Sequence, residues 1–173
     1  VGNIMSLKKA SIIIVLILLI DQISKIYIKT HFALNENTNV FSWFEIVFVE
    51  NDGMAWGTKL SDFFTFISDE SAKLILTLFR IVAVTGIAFW LVDVTKKKRS
   101  KTLIFAIAII FAGALGNILD SVFYGIMFDD SYGQVATFLS DGGGYAEVFH
   151  GKVVDMLHFP IWRGMLPDWL PLV

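Results

Sequence analysis

Apolar residues along this chain do not alternate with polar ones; they gather in three long runs separated by polar segments. The first extends from Leu7 to Ile28, with an uncharged centre from Ala10 to Ile20. The second covers Leu74 to Val92 and is broken only by Arg80. The third begins at Thr102, carries no charge as far as Leu119, and continues through Ser121 to Phe128. Crossing about 30 Å of hydrocarbon takes about 20 helical residues at roughly 1.5 Å each. The runs therefore predict transmembrane helices over about 7–28, 74–92 and 102–128. A cleaved signal peptide is the rival reading of the first, because Lys8 and Lys9 precede it. No small-residue cleavage site follows it, and Asp21 and Lys25 continue the helical spacing.

Lysine and arginine fix the expected orientation. Lys8 and Lys9 precede the first run, and Lys96, Lys97, Lys98, Arg99 and Lys101 link the second to the third. Both segments are expected to face the cytoplasm, which puts residues 30–72 and 129–173 outside. In the first of these Val40 to Glu50 reads as a strand entering a turn at Asn51-Asp52-Gly53. Asp62 to Glu70 interleaves Phe63, Phe64, Phe66 and Ile67 with polar residues, as a surface helix would. In the second, Asp129 to Gly144 reads as loop, and Gly151 to Phe159 as a strand around Val153 and Val154.

Composition narrows the class. The chain of 173 residues is 55% hydrophobic and 17% charged, against roughly 25% charged for soluble domains, and its mean hydropathy is +0.68. A formal net charge of −2 offers nothing to nucleic acid. The absence of cysteine excludes disulfides, thiolate ligands and a cysteine nucleophile. The three histidines show no ligand spacing, so no metal and no cofactor are expected.

Ionisable residues inside a span are costly, at least ~2.5 kcal/mol near its centre, and so are candidates for function. Asp21 and Lys25 stand at i, i+4 and can pair along one face; a self-neutralised couple that holds helices together is the alternative reading. Asn117 and Asp120 share a face at i, i+3, which interhelical hydrogen bonding would also explain. Arg80 can snorkel or pair. Asp21 and Asp120 both fall toward the exterior ends of their spans, and Asn51 and Asp155 lie in exterior segments. Carboxylates meeting at such a boundary can share a proton, activate a water and protonate a leaving amine. From the residues alone three readings stay open: an intramembrane aspartyl hydrolase, a small transporter or proton relay through Asp21, Lys25, Arg80 and Asp120, and a non-catalytic membrane scaffold. Mid-bilayer polar groups and repeated halves, which would favour a transporter, are not seen in the sequence.

At these residues the chain resembles bacterial lipoprotein signal peptidase, the type II signal peptidase family. Asp21 and Lys25 match its D-x-x-x-K pattern; Asn51, Gly53, Ala55 and Gly57 match N-x-G-x-A-x-G, with Trp56 at an aromatic position. Gly116, Asn117 and Asp120 match G-N-x-x-D, and Gly151, Val153, Val154 and Asp155 match G-x-V-V-D. The resemblance implies a mainly α, polytopic bundle with a small extracytoplasmic β-platform. It implies an inner-membrane aspartic endopeptidase that cleaves prolipoproteins before a diacylglyceryl-modified cysteine, using two aspartates and a water. The partners it implies are that lipid-modified substrate and membrane lipids, for a monomer. Asp155 resembles the first catalytic aspartate. Asn117, Asp120 and Gly116 resemble supporting positions, Asn51 and Gly53 a pocket-shaping loop, and Asp21 and Lys25 a structural pair.

The chain departs from that pattern in three places. Ser121 stands where the family has arginine, a cation that Arg80 or Lys152 could replace. The stretch from Phe128 to His150 is longer than expected. The family's second aspartate, in an N-x-A-D motif opening a fourth span, has no counterpart up to Pro171-Leu172-Val173. A bottom-up pairing would join Asp155 to Asp120; the resemblance places the partner beyond Val173, with the chain as given a truncated form.

Overall fold

A computed structural model describes residues 5–52 and 68–160. Three long helices form the body: α1 (Leu7–His31), α2 (Asp69–Lys96) and α3 (Lys101–Leu119). A π-helical turn (Asp120–Tyr124) and the short α4 (Gly125–Met127) extend α3, giving a third membrane-length segment from Lys101 to Met127. Each long helix opens on a serine N-cap, Ser6, Ser68 and Ser100, whose hydroxyl accepts a backbone N–H three residues on. At α2 this cap, with Asp69 and Glu70 in the positive first turn, starts the helix five residues before its apolar run.

The interior of the bundle follows from side-chain size. Ile104, Ala108, Ala112 and Gly116 recur four apart on α3 and are buried. This narrow face lets α1 approach closely, and Ala10 and Ile14 of α1 pack with Leu91 and Val94 of α2 against it. On α2 the inward seam runs Lys73, Thr77, Arg80, Val84, Ile87, Leu91, Val94, all buried or half-buried. The large side chains beside it, such as Val82 and Phe89, are among the most exposed, as lipid contact requires.

Three antiparallel strands in the order β1-β2-β3 cap one end: β1 (Asn37–Phe41), β2 (Phe44–Asn51) and β3 (Val153–His158). The segment that reads as one strand over 40–50 is thus a hairpin turning at Ser42-Trp43, a pair without the glycine or asparagine that marks a tight turn. Phe48 and Val154 dock the sheet on Ile28, Tyr124 and Phe128. The motif residues Gly53, Ala55, Trp56 and Gly57, most of the expected surface helix at 62–70, and residues 161–173 lie outside the described residues; Asp69 and Glu70 belong to α2.

The stretch from 129 to 150 acquires a role here. Where the third span ends in its π turn, carbonyls are left without helical partners, and the returning chain supplies donors. The N–H groups of Gly151, Phe149 and Ala146 reach the carbonyls of Ser121, Val122 and Gly125 at 2.9, 3.1 and 3.0 Å. Irregular backbone at this depth is tolerated only when satisfied in this way. The fit leaves no room at Gly151, where a Cβ would overlap the Asp120 carbonyl and lie 2.9 Å from Gly125 N. Gly151→Ala is therefore expected to destabilise by about 1–3 kcal/mol, read as a lower unfolding midpoint in detergent. Gly113→Ala, with open space around the new methyl, should leave the midpoint unchanged or slightly raised.

Candidate active site

The last turns of α1 place Asp21, Gln22 and Lys25 beside the end of α3. The Lys25 ammonium is the hub: it lies 2.7 Å from Asp120 Oδ2, 3.2 Å from Asp21 Oδ2, and donates to Asn117 Oδ1 at 2.9 Å. Gln22 Nε2 donates to Asp120 Oδ1 and Asp21 Oδ2, both at 3.0 Å, while its Oε1 accepts from Tyr124 Oη at 3.1 Å. Asp120 Oδ2 also accepts the Val154 N–H of β3 at 3.2 Å. Asp120 is wholly buried and Lys25 nearly so, and every oxygen of the Asp120 carboxylate has a donor. Such a group holds three elements together; it is poorly placed to exchange protons with a substrate. Gly116 completes the packing, since a Cβ there would strike the Asp21 carboxylate.

Asp155 differs in every respect. One residue beyond Val154, its side chain leaves the packed face of the strand and is exposed. Asn51, at the end of β2, donates to Asp155 Oδ2 at 3.0 Å. The neighbouring Asp52 pairs with Lys73 of α2 at 2.8 Å. The sheet thus brings Asn51 and Asp155 together, and the helices bring Asp21, Lys25, Asn117 and Asp120 together. The two groups meet through the Val154 backbone rather than through a shared carboxylate dyad of Asp120 and Asp155.

A second buried network lies behind β2. Lys29, one turn beyond Lys25, forms an ion pair with Glu50 Oε1 and donates to Ser131 Oγ at 2.9 Å; Ser131 donates to the same Glu50 oxygen at 2.8 Å. Lys152 reaches Glu50 Oε2 at 3.1 Å. The Lys29 ammonium also sits over the rings of Phe48, Phe128 and Tyr145, an arrangement that offsets its desolvation. The long 129–150 stretch is thereby tied through Ser131 to α1 and β2, next to Asn51. Burial pushes the Glu50 carboxyl up, but the hydrogen bond and charge of Lys29 outweigh it and hold its pKa below the ordinary carboxylate value. A depressed carboxylate pKa contributes stability that is present at neutral pH and lost as pH falls through that depressed value. Glu50→Gln is therefore expected to lower the unfolding midpoint near pH 7 and to flatten its acid dependence, measured from about pH 7 down to about pH 3.

Gln22, Lys29, Glu50, Ser131 and Tyr124 escape a motif-based reading. The face of α1 carried a signal: Lys29 follows Lys25 at i+4, and Gln22 precedes it at i−3. Glu50 and Ser131 carried none, because their partners are distant in sequence. Of the two cations considered as substitutes at Ser121, Lys152 is engaged by Glu50. Arg80 is half-buried on the inward seam of α2.

Known proteins resemble this chain in sequence and in overall fold. The family model described as signal peptidase (SPase) II matches residues 13–169. The lipoprotein signal peptidase of Porphyromonas gingivalis is 45% identical over 166 residues, covering 95% of this chain and 69% of that protein. The lipoprotein signal peptidase of Amoebophilus asiaticus is 33% identical over 164 residues, covering 92% and 62%. A solved bacterial membrane enzyme superposes with a TM-score of 0.56 at 25% identity, over 90% of this chain and 72% of its own. Three membrane-length apolar helices agree with an integral membrane protein. By the extent of the family match and the identity to these relatives, the chain belongs to the signal peptidase II family.

Proposed function

We propose that this protein is an aspartic endopeptidase of the bacterial inner membrane that removes the signal peptide of prolipoproteins before a diacylglyceryl-modified cysteine. Its site faces the exterior, a reading that the run of Lys96, Lys97, Lys98 and Arg99 between α2 and α3 supports by the tendency of such residues to stay in the cytoplasm. The observation that carries the reading is the contrast among carboxylates at the sheet end of the bundle. Asp120 is committed to Lys25, Glu50 to Lys29 and Lys152, and Asp52 to Lys73. Asp155 is exposed, and among the described residues its side chain accepts a hydrogen bond from Asn51 alone.

In this reading Asp155 takes a proton from the attacking water or returns one to the leaving amine, together with a second carboxylate. The sequence contains no N-x-A-D motif to supply that second group. Asn51 orients Asp155; Asn117, Asp120, Gly116, Asp21 and Lys25 brace the helix ends beneath it, and Gly53 belongs to the loop that follows Asn51. The substrate's acyl chains lie in the membrane, and the protein works as a monomer.

The test is to present the intact protein, in lipid, with a diacylglyceryl-modified precursor and the same precursor unmodified. Release of the signal segment from the modified form alone is the expected result. Equal cleavage of both, or of neither, would remove the proposed substrate class.

A further inference from the structure

Arg80 is a cation inside a membrane span, a costly position that marks a candidate for function. The lysines around the sheet end, Lys25, Lys29, Lys73 and Lys152, each have a carboxylate within ion-pair distance. Among the described residues none lies within that distance of Arg80. Nor does Arg80 face lipid. It occupies the same inward seam as Lys73, Thr77 and Val84, and is half-buried there. On that seam it follows Lys73 by two helical turns, about 10 Å deeper along α2. Lys73 marks the level of the β2 end through Asp52, next to the Asn51–Asp155 pair. The Arg80 backbone is thus deeper in the span than the level of the exposed carboxylate, on the inward seam, and its side chain carries a planar fork of donors with no hydrogen-bond acceptor among the described residues.

We infer that Arg80 is a substrate-binding residue, donating to a carbonyl oxygen of the lipid-modified peptide as that peptide lies against Asp155. The inference rests on the proposed function, and the chemistry of that substrate selects the acceptor. A diacylglyceryl-cysteine peptide brings no anion to this depth, but it brings two kinds of carbonyl: the acyl esters and the peptide bond before the cysteine. A guanidinium without an ion pair can donate to either without breaking an existing bond, whereas the neighbouring lysines cannot.

The experiment measures binding without turnover, using the intact protein in an Asp155→Asn background. Two probes are titrated: a diacylglyceryl-cysteine peptide and its dialkyl ether analogue, which lacks the ester carbonyls. Arg80→Met is expected to weaken binding of the diester peptide by about tenfold to a hundredfold, the loss of a charge-assisted hydrogen bond. An equal loss for the ether analogue assigns the bond to the peptide carbonyl; an unchanged affinity for it assigns the bond to an ester. Diester binding within about twofold of the parent, with the unfolding midpoint preserved, overturns the inference. Should Arg80→Met fail to insert, Arg80→Gln keeps a polar group in the seam, and the same loss or retention decides. A parent protein that neither binds these peptides nor cleaves the modified precursor overturns the proposed function and this inference together. Parent binding with indifferent Arg80 variants overturns this inference alone.

Discussion

Asp155→Asn is expected to reduce cleavage of a lipid-modified precursor by roughly a thousandfold or more while leaving the fold intact. The size follows from the loss of general acid–base catalysis at the group that handles the water proton. The fold is spared because Asp155 is exposed and, among the described residues, accepts its side-chain hydrogen bond from Asn51, which an asparagine at 155 can still accept through its carbonyl oxygen. The check is turnover per folded molecule, with unfolding midpoints measured on the same preparations. Turnover within about tenfold of the parent would make Asp155 a structural residue.

The opposite pattern is expected one residue away in space. Lys25→Met alone leaves Asp120 a buried carboxylate without its cation, a loss of about 3–5 kcal/mol. Asp120→Leu alone strands the Lys25 ammonium, which retains only Asp21 at 3.2 Å and Asn117, and should cost a similar amount. The double variant, with both charges replaced by apolar groups, should recover much of the loss, because no unpaired charge remains. Asp21→Asn should cost less, since Asp21 is partly exposed and lies farther from the ammonium than Asp120 does. Unfolding midpoints of the four proteins in one detergent decide the matter; additive losses in the double variant would show that the two groups do not act as a pair.

The three spans could be read from the sequence because lipid demands long apolar runs, and nothing local competes with that signal. Their ends could not, because Ser68 extends α2 through Asp69 and Glu70, polar residues that look like loop until the cap is seen. The hairpin at Ser42-Trp43 was hidden for the opposite reason: an apolar run crosses the turn without punctuation. At the site, spacing on a single helix paired Asp21 with Lys25, and this pair exists. The shorter contact to Asp120 joins two helices far apart in sequence, and no single-helix spacing reports it. The same limit hid Glu50 and Ser131 and left the stretch from 129 to 150 without a role. Its function is to satisfy the carbonyls of a π turn, a feature that leaves no periodic trace in the residues that answer it.

One measurement bears most directly on where the chemistry takes place. A lipid-modified precursor carrying a photoreactive residue next to its modified cysteine is bound to the intact Asp155→Asn protein in membranes, irradiated, and the adducts are mapped by mass spectrometry. Adducts are expected on β3 around position 155, on β2 near Asn51, and on the seam of α2 at Arg80. Adducts confined to the basic linker around Lys97 and Lys98, or to the lipid-facing side chains of α2 such as Phe89, would contradict the site assigned here.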